Sequence, residues 1–231
     1  LQNAKRDALK LRERFDGVLE FDETHILLDK DVTKDAFVKC IETFAECHPD
    51  DLLVFTFSGH GGHLKMANNK DKGFLVPFGA HAPLTRTNTS EYISMEELGV
   101  WVDDLLPARH VVMLFDCCFS GLSTKRGLSD GKKKKVAKHL KMKCRYVINA
   151  GSMDEQVSDG HGAHSPFVEA LLQSSAGKGD DKQCDIEALK KEIENRIADM
   201  DGVRQTPTGG TLPGDEGGCA FLALPSLTNN G

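Results

Sequence analysis

The sequence predicts an α/β protein with a doubly wound, mostly parallel central sheet flanked by helices, and three observations predict it. The stretches Leu52 to Phe57, Val111 to Phe115 and Arg145 to Ile148 are strand-length runs rich in β-formers, the first two unbroken in the way a strand buried on both faces requires. The segments between them carry apolar residues three and four apart, the period of a helix with one buried face. Gly- and Pro-rich stretches separate the two kinds of element. Such alternation builds a parallel sheet whose ligands bind beyond the carboxyl ends of the strands, so chemistry is expected at those ends.

Taken in order, Ala4, Ala8, Leu9, Leu11 and Phe15 predict an amphipathic helix over 4–15, and Thr24 to Leu28 a short strand. Thr33 is placed to cap a second helix with Phe37, Cys40, Ile41, Phe44 and Ala45 on its inner face, ending near His48-Pro49. Gly73 to Pro77 is a short strand. Met95 to Leu106 is a helix capped by Ser94, and Pro166 to Leu172 and Ile186 to Ala198 are two more. Ala220 to Leu224 reads as a last strand, while 120–143, with the lysine run Lys132 to Lys135, and 204–218, rich in Gly, Pro and Thr, read as long loops.

Composition narrows the function classes. A length of 231 residues with 39% hydrophobic content suits one domain over 1–231. A net charge of −6 sets no basic footprint, so nucleic acid is not expected as a partner. No apolar run approaches the roughly 20 residues a membrane span needs. The seven cysteines fall at 40, 47, 117, 118, 144, 184 and 219, without the short paired spacings of a zinc site or a disulfide scaffold. A reducing, cytoplasmic setting is the expectation. The residues fix no oligomeric state, and the chain opens without Met.

Two strand ends carry reactive groups. Leu52 to Phe57 runs into Ser58-Gly59-His60-Gly61-Gly62, and Val111 to Phe115 into Asp116-Cys117-Cys118-Phe119-Ser120-Gly121. In a parallel sheet both ends lie on one edge, so an imidazole and a thiol 58 residues apart can meet across a cleft. A free thiol has a pKa of about 8.5 and needs a base to become a good nucleophile at neutral pH; a neighbouring His supplies it. The oxyanion formed on attack needs donors, for which the backbone N–H groups of Gly61 and Cys118 are the candidates. Side chains alternate along a strand, so with extended geometry Asp116 and Cys118 face the cleft while Cys117 turns into packing.

The motifs Phe57-Ser58-Gly59-His60-Gly61 and Asp116-Cys117-Cys118-Phe119-Ser120-Gly121 resemble the His and Cys signatures of metacaspases and paracaspases, in the order and near the spacing of about 50 residues that caspases show. The resemblance extends to Asn3-Ala4-Lys5-Arg6-Asp7-Ala8, Ser152-Met153-Asp154-Glu155-Gln156, His164-Ser165-Pro166-Phe167 and Arg204-Gln205-Thr206-Pro207. It implies a caspase-like fold, with a first central strand upstream of Leu1, and a cysteine endopeptidase whose dyad is His60 and Cys118. It also implies a pocket for the residue before the cut lined by Asp116 and Asp7, which would favour Arg or Lys in protein and peptide substrates.

The sequence departs from the family where Phe119 replaces a common His. Calcium is a possible activator in this family, and Asp71, Glu96 and Glu97 fall in roughly the right segments, whereas Lys125 stands where an acid is expected. The dyad itself requires no cofactor. His63, three residues after His60, reads as loop surface, Cys40 and Cys47 as core packing, and His161 and His164 as loop residues without an assigned role. Two other readings stand beside the Arg/Lys peptidase: a caspase-like binding or dimerisation module of weak or no activity, and an Asp-specific peptidase, which would need a basic pocket that Asp116 opposes.

Overall fold

The apolar runs become three adjacent strands of one sheet. The structure is a computed structural model that describes residues 3–16, 21–118, 139–152, 162–174, 184–218 and 221–222, the description of Cys118, Cys184, Asp185, Phe221 and Leu222 being of backbone alone. Its elements in chain order are α1 (Ala4–Arg14), α2 (Lys34–Glu42), β1 (Leu52–Ser58), β2 (Gly61–Lys65), β3 (Asp71–Leu75), β4 (Ile93–Ser94), α3 (Met95–Leu105), β5 (His110–Cys118), β6 (Cys144–Gly151), α4 (Pro166–Gln173), β7 (Cys184–Asp185), α5 (Ile186–Ala198), β8 (Thr208–Thr211) and β9 (Phe221–Leu222). The central sheet has the order β1-β5-β6-β8; β1, β5 and β6 are parallel and β8 closes the far side antiparallel to β6. A small sheet, β2-β3-β4, stands on the carboxyl end of β1, and β7 pairs with β9.

Alternation along the strands gives the sheet two apolar faces. Val112, Leu114, Tyr146 and Ile148 meet Leu11 of α1, Phe167 and Leu171 of α4, and Ile186, Leu189 and Ile193 of α5. Val111, Met113, Phe115 and Val147 meet Ile41 of α2 and Leu98 and Val102 of α3. Each fully buried side chain of this kind contributes about 1.5–3 kcal/mol, so the two layers are what fix the register of the strands. The caps expected from sequence are present. The Thr33 hydroxyl accepts from the Ala36 N–H at 3.2 Å, and Ser94 and Glu97 form a reciprocal capping box on α3.

Two expectations are corrected. Thr24 to Leu28 joins no ladder among the described residues. The stretch 204–218, expected as a loop, contains β8, whose Thr-Gly-Gly-Thr sequence has no apolar run to announce it. Its glycine content has a packing reason: a Cβ on Gly209 would lie 2.6 Å from the Tyr146 hydroxyl oxygen and 2.7 Å from Lys190 Cδ. Of the loop 120–143, only residues 139–143 fall within the described chain.

Candidate active site

The site is built where β1 and β5 end. These strands are neighbours in register, with Ser58 opposite Asp116, and two further residues carry each chain to position 60 and position 118. His60 and Cys118 therefore leave the sheet at the same edge from adjacent strands, whose axes lie about 4.8 Å apart. The His60 imidazole is exposed and has no hydrogen-bond partner among the described residues. Its backbone is held firmly: the Val76 N–H donates to the His60 carbonyl at 3.0 Å, and the preceding Gly59 N–H donates to the Asp116 carbonyl at 3.3 Å, tying the His turn to β5. Gly59 accommodates the ring of Phe57, since a Cβ there would lie 2.6 Å from Phe57 Cζ.

The Val76 bond also orients Gly61. In an antiparallel pair, a bond between the flanking residues marks the enclosed pair, here Gly61 and Leu75, as the non-hydrogen-bonded kind, whose own N–H and C=O groups point away from the partner strand. The Gly61 N–H is thus turned out of the small sheet and available to a ligand.

On β5 the pairing with β6 shifts at the site. Phe115 is opposite Asn149 and Cys118 opposite Gly151, so three steps on β5 match two on β6. This β-bulge spans Asp116 and Cys117, immediately before position 118; such bulges occur next to active sites, where they re-aim a side chain. Cys117 is buried in the α2/α3 layer, packed with Phe115 and Val147. The strict alternation expected to carry Asp116 and Cys118 to one face is interrupted by the bulge, and the Cys118 side chain lies outside the described residues, as do Lys125, His161 and the motif from Met153 onward. The remaining described thiols are structural: burial pushes those of Cys40 and Cys47 up from their ordinary value.

The two acids lie on one face of the sheet. Asp116 follows Val112 and Leu114 on the α1/α4 side and is 7% exposed. Asp7, on α1, packs against the same side with no exposure at all. Its carboxylate is held by chain far away in sequence: the His164 Nδ1–H donates to Oδ1 at 2.6 Å and the Ser165 N–H donates to Oδ2 at 3.2 Å. Arg6 adds a bond to the Ala163 carbonyl at 3.0 Å. Ser165 caps α4, accepting from the Val168 N–H at 3.1 Å, so Asp7 is an anion seated at a helix N-terminus. His164, given no role from sequence, is thus a principal partner of Asp7. The signal that could have found it is the Ser165-Pro166 helix start, a position that attracts a carboxylate.

Two of the three carboxylates considered for calcium are engaged elsewhere. Glu96 pairs with Lys72, and Glu97 accepts from the Ser94 N–H at 3.0 Å, the Ser94 hydroxyl at 2.9 Å and Lys34 at 2.9 Å. No group of three or more potential metal ligands converges among the described residues. His63 lies in β2, exposed and opposite Gly73.

A caspase-domain family model (peptidase family C14) matches residues 1–210, and the chain belongs to that family, whose members are cysteine peptidases. Among solved structures it is similar to caspase-1 from Spodoptera frugiperda, with a TM-score of 0.55 and 14% identity over 96% of this chain and 81% of that one. It is also similar to protein GSU0716 from Geobacter sulfurreducens, with a TM-score of 0.54 and 17% identity over 91% of this chain and 82% of that one. At these identities the likeness is one of fold. No curated protein matches the sequence. Among the described residues, no helix is long and apolar enough to cross a membrane.

Proposed function

We propose that this chain acts as one peptidase domain, a cysteine endopeptidase that cleaves after Arg or Lys with His60 and Cys118 as its dyad. The observation that supports the reading is the register of β1 on β5, with Ser58 opposite Asp116, which brings the chain two residues before positions 60 and 118 to one sheet edge. His60 takes the thiol proton as Cys118 Sγ attacks the carbonyl carbon of the scissile bond. The oxyanion is met by the Gly61 N–H, turned out of its sheet, and by the Cys118 N–H. Collapse expels the amine, which leaves with the proton from His60. Water, deprotonated by His60, then attacks the thioester, releasing the acid and restoring the thiol.

Asp116 supports a cationic residue before the cut, because a nearly buried carboxylate is stabilised by a guanidinium or ammonium brought to it. Asp7 contributes negative potential on the same face, although both its oxygens already accept hydrogen bonds. The chemistry needs no metal, and its free thiol suits a reducing compartment such as the cytoplasm.

Fluorogenic peptides with Arg, Lys or Asp before the cut, assayed with and without calcium, test the reading against wild type and Cys118→Ala. Turnover of the Arg and Lys peptides by wild type alone is expected. Turnover of the Asp peptide in their place would overturn the specificity, and equal rates for Cys118→Ala would overturn the dyad.

A further inference from the structure

The small sheet has an open edge that starts at the site. In the order β2-β3-β4, β2 is outermost, and no strand among the described residues pairs with its other side. Two bonds at opposite ends of the β2-β3 hairpin fix which peptide groups face that side. The Val76 N–H donates to the His60 carbonyl at 3.0 Å, and the Met66 N–H donates to the Lys70 carbonyl at 2.8 Å. Both mark the residues between, at alternate positions, in the same phase: Gly61, His63 and Lys65, opposite Leu75, Gly73 and Asp71, have N–H and C=O groups that point outward. Arg86 agrees with this phase, since its Nη2–H donates to the outward Lys65 carbonyl at 2.7 Å and its Nε–H to the same oxygen at 3.2 Å. The outward groups of Gly61 and His63 have no partner among the described residues.

A row of unpaired backbone groups along a strand edge suits one kind of ligand, another extended peptide. The chemistry of the cut says which peptide and which way it runs. In the proposed reaction the Gly61 N–H meets the carbonyl oxygen of the residue before the cut, and His60 gives its proton to the amine of the residue after it. The segment after the cut therefore departs from His60, where β2 begins, and along β2 it runs parallel to that strand. In a parallel ladder, a residue whose two groups face its neighbour donates to the carbonyl of one residue and accepts from the N–H two residues further on. With Gly61 donating to the residue before the cut, the Gly61 carbonyl accepts from the second residue after it. The His63 N–H then donates to the carbonyl of that second residue, and the His63 carbonyl accepts from the N–H of the fourth. The ladder ends at Lys65, whose carbonyl Arg86 occupies.

We infer that the outer edge of β2 is the subsite for the substrate segment after the cut, which adds to it as a parallel strand of about four residues with the oxyanion contact as its first rung. The inference rests on the peptidase reading and extends it to the leaving side of the bond. Because the contacts are to backbone, the edge selects an extended segment with free N–H groups at its second and fourth residues. The N–H of the third residue faces away from β2, so a blocked nitrogen is accepted there and rejected at the second.

Internally quenched peptides with one Arg followed by four residues test this polarity on the wild-type protein. Methylation of the second amide nitrogen after the cut removes a donor and sets a methyl group against the edge, and should lower kcat/KM by about tenfold or more; the same change at the third should stay within about threefold. His63→Pro removes one outward donor and none from the β2-β3 ladder, and should lower kcat/KM for the unmethylated peptide by about three- to tenfold. Equal losses at the second and third amides, or a loss at the third alone, would overturn the inference. So would a folded His63→Pro protein that cleaves the peptide at the wild-type rate. If no peptide with Arg, Lys or Asp before the cut is turned over, the peptidase reading falls and this inference with it, whereas turnover with the wrong polarity removes this inference alone.

Discussion

The two ends of the central sheet treat their polar groups differently. At the amino end most are matched, although the Arg109 and Arg145 Nε atoms have no hydrogen-bond partner among the described residues. Arg145, at the start of β6 and fully buried, donates to the carbonyls of Arg109 at 3.0 Å, Leu106 at 3.4 Å and Cys144 at 3.4 Å, so a guanidinium satisfies the end of α3 and the chain entering β5. Around it Arg109 pairs with Asp50, and Lys143 reaches Asp103 at 2.7 Å. At the carboxyl end groups are presented: an exposed imidazole without a partner among the described residues, a buried Ser58 hydroxyl with none, and a Gly61 N–H turned away from its sheet. The amino end pairs most of its groups within the chain, and the carboxyl end leaves several open, the pattern that the proposed site calls for.

The largest effect should come from the presented end. His60→Ala is expected to lower kcat/KM for an Arg peptide by about 10²–10⁴-fold, the usual contribution of a general acid–base group, and to shift Tm by less than about 1 °C because the ring is exposed and unbonded. Equal activity with a lowered Tm would reverse the comparison. Asp116→Asn sharpens it further, with an expected loss of about tenfold to 100-fold for Arg peptides, the size of charge-assisted hydrogen bonds worth about 1.5–3 kcal/mol.

The matched end should respond in the opposite sense. Arg145→Met fills the volume but strands three carbonyls, at a cost of about 3 kcal/mol and a drop in Tm of roughly 6–12 °C for a chain of this size. Activity per folded molecule should stay at the wild-type value. Burial lowers the Arg145 pKa from its ordinary value, but an Arg remains charged at every working pH, so the loss should not vary between pH 6 and pH 8 in urea titrations.

Asp7 breaks the symmetry and shows why sequence reading reached some residues and not others. Long apolar runs located β1, β5 and β6, and cap residues located α2 and α3, because these signals are local. The site depended on both kinds of information. That His60 and Cys118 fall at the carboxyl ends of adjacent strands was legible because each closely follows a local strand signal. The bond from His164 to Asp7 was not, since it joins residues 157 apart through the packing of α1 on α4. The bulge before Cys118 was hidden too, because a register shift belongs to a pair of strands and β5 alone reads as regular. β8 has almost no intrinsic strand propensity and takes its form from β6. Thr24 to Leu28 is the converse, a strand sequence without a neighbour among the described residues. Asp7→Asn should therefore behave like an amino-end variant despite its place at the carboxyl end, with about 1.5–3 kcal/mol lost in urea unfolding. A variant of wild-type stability with a raised KM for Arg peptides would move Asp7 into the presented class.

The smallest effect concerns the helix that closes the α2/α3 face. Burial raises the Glu97 pKa, but the bonds from Lys34 and Ser94 outweigh it and hold the carboxyl below its ordinary value of 4.5. A depressed folded value means that the ionised form is favoured by folding. Its contribution is complete above pH 4.5 and is lost as the pH falls through the lower folded value. The side chain is 42% exposed, so solvent screening limits the contribution to about 0.5–1 kcal/mol. Glu97→Gln should cost that much in urea unfolding at pH 6.5, and the gap from wild type should close as the titration is repeated at progressively lower pH below 4.5. A gap that stays constant would assign the stabilisation to the neutral capping bonds with Ser94, and the ion pair with Lys34 would then contribute nothing measurable to holding α2 against α3.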